Sequence, residues 1–255
     1  MSLAIELSHV SHAFARGALP VLDDVSATAG PGQFVSLIGP SGCGKSTLLR
    51  ILAGLLVPAA GEARVNGEDV RGRPGAVAYM PQKDLLFPWR RALANATVGA
   101  EISGLPRAHA RARALQLFPR FGLTGFERAW PVQLSGGMRQ RLALLRTFLV
   151  PRAILLLDEP FGALDAINRR DMHRWLQDVW GEDRRTVLFV THDVEEALVL
   201  SDTVYVMTAR PGRVQARVDV AFARPRRPAV VTTPEFVALK ARLLAHLDAG
   251  AAPRQ

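Results

Sequence analysis

The sequence predicts an α/β fold in which a buried parallel sheet carries an N-terminal antiparallel β layer and an inserted helical subdomain. Three observations carry that reading. Residues 153–157 and 186–191 are short apolar runs that end in polar residues, the pattern of strands buried on both faces. Residues 39–47, GPSGCGKST, lie between the apolar run Phe34–Ile38 and a helical run at 48–53, so strand, glycine-rich turn and helix follow directly. Across residues 83–150 the alternation of strands and helices stops, and an alanine-, leucine- and arginine-rich pattern takes over.

Taken in order, residues 4–14, with Ile5, Leu7 and Val10, form a short strand and residues 21–27 a second. Phe14 stands between them and suits either stacking on an adenine ring or packing in the core. The helix after the glycine-rich turn runs from Lys45 to about 55, before Pro58, and residues 59–61 make a turn. Residues 62–65 followed by Asn66-Gly67 read as a strand and a tight turn, and residues 77–80 as the next strand. Gln82 follows that strand's C-terminal end, where ligands sit in open α/β sheets. The loop at 84–89, DLLFPW, is either a staple beneath the next helix or a partner anchor through Leu85, Phe87 and Trp89. A helical stretch from 92 to 121 breaks near 104–106 and at Gly122. Residues 134–141, LSGGMRQR, then open a helix to about 150 with Ser135 as N-cap.

The apolar run at 153–157 delivers Asp158 and Glu159 to the ligand edge of the sheet, although two adjacent acids also suit a helix cap. Residues 162–165, GALD, cap a helix at 166–180. The strand at 186–191 ends on His192, a structural histidine or a phosphate sensor. Asp193 begins a further helix, and residues 204–207 and 214–220 are strands. Residues 223–228 read as a turn-rich linker, Thr233 starts a last helix to about 247, and residues 249–255 are expected to be disordered.

The chemistry follows from the residue types. Glycines let successive backbone N–H groups of Gly39, Pro40, Ser41, Gly42, Cys43, Gly44, Lys45, Ser46 and Thr47 face one point, proline excepted, and the helix start adds positive potential there. Lys45 would reach the β- and γ-phosphates of a nucleotide and the Ser46 hydroxyl would ligate Mg²⁺. Asp158 would orient the same ion, Glu159 would polarise an attacking water, and the Gln82 amide would report on the γ-phosphate. Gly136 and Gly137, at a second helix start, permit close approach to an anion but cannot serve the same phosphates, so a second copy of the chain is expected to supply them. Cys43, at a helix start, is expected to react with alkylating agents and to be protected by ATP.

GPSGCGKST, Gln82, LSGGMRQR, ILLLDEP, GALD and His192, in that order, resemble the ATP-binding subunits of ABC transporters over about residues 3–220. The resemblance implies a P-loop (RecA-like) ATPase core that uses ATP and Mg²⁺. It makes Phe14 the adenine-stacking aromatic, Gln82 the Mg²⁺-sensing glutamine, Ser135, Gly136 and Gly137 the motif that closes on the opposite subunit's nucleotide, Glu159 the catalytic base, Asp165 a dimer-contact aspartate and His192 the switch histidine. Met138 departs from the commonest form, which has glutamine there. LSGGMRQR with DLLFPW is similar to the nitrate/sulfonate/taurine branch of bacterial importers, which includes uptake of pyrimidine precursors of thiamine. The implied partners are a second copy in a head-to-tail dimer, integral membrane permease subunits met near Leu85, Phe87 and Trp89, and indirectly a periplasmic or extracellular solute-binding protein. The implied place is the cytoplasmic face of the inner membrane. The expected division is 1–82 for the β layer and phosphate-loop part, 83–150 for the helical subdomain, 151–220 for the second part of the core, and 221–255 for a linker, helix and tail.

Composition narrows the alternatives. Half the 255 residues are apolar and 22% are charged, which argues against disorder. No uncharged apolar run approaches the roughly 20 residues that cross a bilayer, and MSLAIELSHV lacks the features of a secretory leader. A single cysteine excludes an internal disulfide. The formal charge of +9 keeps open a soluble ABC-type ATPase acting on nucleic acid or the ribosome, but the arginines are scattered with little aromatic interleaving, so no nucleic-acid partner is expected. A P-loop kinase would not need LSGGMRQR, and an exporter half would ordinarily carry fused membrane helices.

Overall fold

The computed structural model describes residues 3–15, 19–162 and 164–251, so Met1, Ser2, Ala163 and residues 252–255 of the motifs and termini above lie outside it. Side-chain alternation sets the N-terminal layer. In β1 (Ile5–His12) the inward residues are Ile5, Leu7, Val10 and His12, a pattern that skips one residue at His9. His9 takes φ 53° and forms a bulge, shifting the register against both neighbours. β2 (Leu22–Ala29) and β4 (Ala60–Val65) flank β1 antiparallel, and β5 (Glu68–Asp69) closes the sheet in the order β2-β1-β4-β5. Residues 60 and 61 are therefore strand, not the expected turn. A side chain at Gly61 would come within 2.3 Å of the His9 carbonyl oxygen, so glycine there admits the bulge rather than a reversal.

The second sheet orders its strands β10-β9-β3-β8-β7-β6. These are β3 (Phe34–Ile38), β6 (Ala78–Met80), β7 (Ile154–Asp158), β8 (Thr186–Val190), β9 (Thr203–Met207) and β10 (Val214–Asp219). All pairs are parallel except β9 with β10. Every residue of β3, β7, β8 and β9 is buried, and their alternate side chains serve two cores. Val35, Leu37, Leu156, Leu188 and Tyr205 face the β layer together with α1 (Lys45–Leu52), whereas Phe34, Ile38, Leu155, Leu157 and Phe189 face the helices. At about 25 cal/mol per Å² of apolar surface removed from water, this double burial is the main force holding the sheet in place.

The helical face comprises α2 (Ala92–Ile102), α3 (Arg107–Leu117), α4 (Gly136–Leu149), α5 (Ala166–Asp183), α6 (Val194–Leu200) and α7 (Pro234–Ala251). Small residues let α2 and α4 approach: Ala96, Ala100 and Ala143 are fully buried, and a Cβ on Gly99 would lie 3.0 Å from Val150. β6 and β7 pair side by side although α2, α3 and α4 separate them in the chain.

Three local expectations are corrected. α1 stops at Leu52 rather than 55, because Gly54 turns to φ 73° and packs where a Cβ would sit 2.4 Å from the Arg73 carbonyl oxygen. Residues 223–228 are no loose linker. Arg226 is 4% exposed, and its guanidinium donates to the carbonyls of Leu198, Ser201, Val220 and Phe222, tying the segment to α6 and to the end of β10. Residues 249–251 continue α7, and the Gly250 carbonyl accepts from Ala209 N at 2.9 Å, so order extends past the expected start of the tail.

Two glycines of opposite environment test this packing. A Cβ at Gly212 would fall 1.9 Å from the Cys43 carbonyl oxygen, whereas one at Gly181, within α5, meets nothing within 4 Å. Gly212→Ala is expected to destabilise the fold by about 2 kcal/mol or more through a clash that backbone cannot relieve. Gly181→Ala is expected to stabilise by about 0.5–1 kcal/mol. Denaturant midpoints read both; equal shifts would contradict the packing described.

Candidate functional site

The C-terminal ends of β3, β6, β7 and β8 meet at one edge of the parallel sheet, and each delivers a polar group there. After β3 the chain curls through left-handed Gly42 (φ 78°) and Gly44 (φ 104°), and Gly44 caps α1. Neighbours press the curl from outside: a Cβ at Gly39 would lie 3.0 Å from Met207 and one at Gly44 2.5 Å from Leu22. Lys45 folds back over the turn and donates to the carbonyls of Gly39 at 2.7 Å and Pro40 at 2.9 Å. No acidic residue occupies the first turn of α1, so its positive end is left to an anion. Cys43 points inward and is fully buried, with its sulfur 3.7 Å from Lys45 Nζ. This burial argues against the expected alkylation at the thiol, because a helix start raises reactivity only where reagent can reach the sulfur.

β7 brings the acids. Asp158, 2% exposed, accepts from Ser46 Oγ at 3.1 Å. Burial pushes its carboxyl above the ordinary aspartate value; the Ser46 bond opposes that shift and the charge of Glu159 adds to it. Glu159 leaves the strand at φ 47°, a left-handed conformation that costs a non-glycine residue about 1 kcal/mol or more. Its amide donates to the Val190 carbonyl at 3.0 Å, which turns the side chain towards the ends of β6 and β8. There Glu159 Oε2 accepts from Gln82 Nε2 at 3.1 Å and lies 3.5 Å from His192 Nδ1. The helix-cap alternative for the two acids fails, since neither caps a helix.

A cavity of about 400 Å³ runs over this edge, within the size range of small-ligand sites. It is lined by the phosphate-loop residues Ser41, Gly42, Gly44, Lys45, Ser46 and Thr47, by Gln82 and Glu159, and by Phe14, Val21 and Arg210. Phe14 is 62% exposed and its ring stands edge-on to buried His12 at 5.0 Å, so it is not a core residue. Arg210 escaped sequence reasoning. It sits in the turn between β9 and β10, where its guanidinium donates to the carbonyls of Leu19 and Pro20.

Ser135, Gly136, Gly137 and Asp165 do not line this cavity. Ser135 is exposed and accepts from Met138 N at 3.2 Å as the N-cap of α4, leaving the start of that helix open to solvent. Met138 packs its side chain on the helical core instead of presenting a donor. Asp165 caps α5 by accepting from the amides of Ile167 and Asn168, and these bonds, with the Asn168 side chain, hold its carboxyl below the usual range.

This geometry can be set beside known proteins. Residues 22–162 match the family model described as ABC transporter. The chain belongs to that family. It is 49% identical to an aliphatic sulfonates import ATP-binding protein of Rhodococcus jostii, with 81% of this chain and 80% of that one covered. It is 39% identical to a taurine import ATP-binding protein of Yersinia pestis, covering 88% and 90%. Among solved structures, the dimeric post-hydrolysis state of the ATP-binding cassette MJ0796, bound to ADP and Pi, superimposes with a TM-score of 0.77 at 28% identity, over 86% of this chain and all of that one. The chain is accordingly an ATP-binding cassette, the ATPase that such transporters couple to transport.

In this cassette the loop that begins at Asp84 is held by polar contacts, where the sequence suggested an apolar staple. Buried Asn95 accepts from Phe87 N and donates to the carbonyls of Phe87 and Arg90. α4 holds it as well, through the Arg139–Asp84 pair at 3.1 Å and Arg146 donating to the carbonyls of Asp84 and Leu85. Leu85 and Trp89 nevertheless stay 59% and 71% exposed, an apolar pair on a braced loop. Asn95, Arg139 and Arg146 were not singled out in the sequence, since polar residues inside helices look alike until the loop they hold is placed.

Asp158 gives a test by pH. Its raised value means that folding disfavours the ionised carboxyl, so the cost is present at neutral pH and disappears as pH falls below the unfolded value of about 4. Asp158→Asn is expected to raise the melting temperature of the nucleotide-free cassette at pH 7, with the gain shrinking towards pH 4. A destabilised variant at pH 7 would show that the ionised group is favoured in the fold.

Proposed function

We propose that this cassette is the ATP-hydrolysing subunit that powers import of a small solute, of the sulfonate, taurine, nitrate or pyrimidine-like class, by head-to-tail dimerisation on MgATP. One observation carries the reading. The phosphate loop, Gln82 and Glu159 share one cavity, while Ser135, Gly136 and Gly137 open a helix elsewhere on the same chain. A site so divided suits completion by a second copy. The relatives named for sulfonate and taurine import support the solute class.

The roles follow from placement. Phe14 stacks on the adenine, and Arg210, also in the cavity lining, reaches the nucleotide's polar edge. The loop amides and Lys45 take the phosphates, with Lys45 exchanging loop carbonyls for phosphate oxygens. Ser46 and Gln82 line the cavity and Asp158 is bonded to the Ser46 hydroxyl; these hard oxygen donors are a set that fits Mg²⁺, which when bound would neutralise charge building on the phosphates. Glu159 holds a water in line and accepts its proton as it attacks the γ-phosphorus; ADP leaves with the bridging oxygen's electrons. His192 steadies the Glu159 carboxylate and the γ-phosphate, and Gln82 links that event to the 84–90 loop. Asp165 faces the partner copy. Ser135 and the amides of Gly136 and Gly137 from that copy close on the γ-phosphate. Leu85, Phe87 and Trp89 meet membrane permease subunits at the cytoplasmic face of the inner membrane, and a solute-binding protein acts from the other side.

Glu159→Gln is expected to retain ATP binding but to turn over at least about a hundredfold more slowly, the scale of a general base; phosphate release and nucleotide binding measured together check it. Unchanged hydrolysis would remove Glu159 from that role. Trp89→Ala should keep nucleotide affinity and lose assembly with the permease or coupled transport, read by co-purification and solute uptake. Wild-type uptake would sink the coupling role of the loop.

A further inference from the structure

Away from the nucleotide cavity, a second cavity of about 250 Å³ opens between α5, α6 and the segment 226–232. Its lining mixes two chemistries. Val199, Val231 and Pro228 contribute apolar surface, and Arg170 and Arg174, one helical turn apart on α5, join Arg226 and Arg227 in contributing guanidinium groups. Arg174 and Arg227 lean on Asp171 at 3.6 Å and Asp178 at 3.9 Å, and the one acid in the lining, Glu195, is held by Lys240 at 2.9 Å. Arg170 and buried Arg226 face no carboxylate partner among the described residues. The Arg226 guanidinium donates only to backbone carbonyls, and burial together with the neighbouring Arg224 guanidinium, opposed by Asp202, pulls it down to about 10. Four arginines against one lysine-paired glutamate give the lining a net positive charge, beside apolar residues.

The cavity wall is also wired to the hydrolytic edge. His173, in the lining, lies 3.1 Å from Glu196 Oε1; Thr191 Oγ1 donates to Glu196 Oε2 at 2.6 Å. Glu196 and Thr191 are both buried, and Thr191 precedes His192, which faces Glu159. We propose that this cavity is a regulatory site for a small amphipathic organic anion, a short carbon chain ending in one carboxylate or sulfonate, whose occupancy is transmitted through His173, Glu196 and Thr191 to His192. Guanidinium groups match such heads in charge and in paired donors, the apolar residues take the chain, and the volume limits the ligand to a few carbons. The packing of His173 on Glu196 makes a shift of α5 against α6 a shift of the strand end that carries His192.

Calorimetry on the full nucleotide-free chain tests it with four probes: hexanesulfonate, hexanoate, hexanol and inorganic sulfate. The two amphipathic anions are expected to bind saturably at one site, with hexanol and sulfate at least about tenfold weaker, as loss of a charge-assisted hydrogen bond or of the apolar contact dictates. The double variant Arg170→Glu, Arg174→Glu, exposed on α5 and far in role from the phosphate loop, should bind them at least about tenfold more weakly while keeping its ATP affinity. In the wild type, saturating hexanesulfonate should shift ATP affinity by about fivefold, and ATP should shift hexanesulfonate affinity by the same factor. No saturable binding, sulfate binding as tightly as hexanesulfonate, or an unaffected double variant would each overturn the site. Binding with no mutual shift would overturn its regulatory role. Because the binding arm needs no hydrolysis, it can fail or succeed independently of the catalytic roles assigned above.

Discussion

The structure depends on how closely backbone can approach the outside of the phosphate loop. Three glycines stand where a Cβ would collide: Gly39 against Met207, Gly44 against Leu22, and Gly212 against the Cys43 carbonyl. Each belongs to a different contact, with the edge of β9, with the β layer, and with the turn between β9 and β10. Pressed from three sides, the loop keeps its curl, starts α1 in a fixed direction and places Ser46 against Asp158. The two layers of the fold thus meet at the loop, and the β layer contributes a wall to the site through Phe14 and Val21.

The acidic edge of the sheet carries costs that packing offsets. Asp158 is buried where its charge is disfavoured, and Glu159 holds a left-handed backbone. Both sit at the end of β7, a strand buried on two faces and flanked by β6 and β8, so neighbouring strands fix them in place. Strain of this kind persists only where surroundings over-determine it, and here it gathers the groups of three strand ends around one carboxylate. The same rigidity gives α4 two tasks. Its first residues follow the exposed cap at Ser135, and its arginines Arg139 and Arg146 grip the 84–90 loop, so one helix connects the two.

Much of this was legible because the relevant forces are local. Strands buried on both faces read as apolar runs, Gly-rich loop and helix follow one another directly, and Asp158, Glu159 and His192 stand at strand ends by simple adjacency. What escaped depended on contacts distant in sequence. Gly61 read as turn because its need for glycine comes from the bulge at His9, and Gly54 ended α1 early because of Arg73. Arg210 joins the site only through the pairing of β9 with β10. The burial of Cys43 and of Arg226 could not be seen either, since a thiol at a helix start and an arginine between prolines look exposed until the segments that cover them are placed. Strand order, which seats β6 beside β7 across an inserted helical segment, is likewise a property of the whole chain.

The central claim is that one chain holds half of a hydrolytic site, with the phosphate loop and Glu159 on one copy and the helix start at Ser135 on the other. Complementation tests it most directly. Lys45→Ala disables a chain's own loop and Ser135→Arg blocks its α4 start, so each variant alone should be inactive. Mixed in equal amounts, half the dimers would pair one of each and hold one intact site, restoring up to about a quarter of wild-type ATP turnover in a two-fold symmetric assembly. Full inactivity in a mixture shown to contain the paired dimer, or wild-type turnover by Ser135→Arg alone, would contradict it.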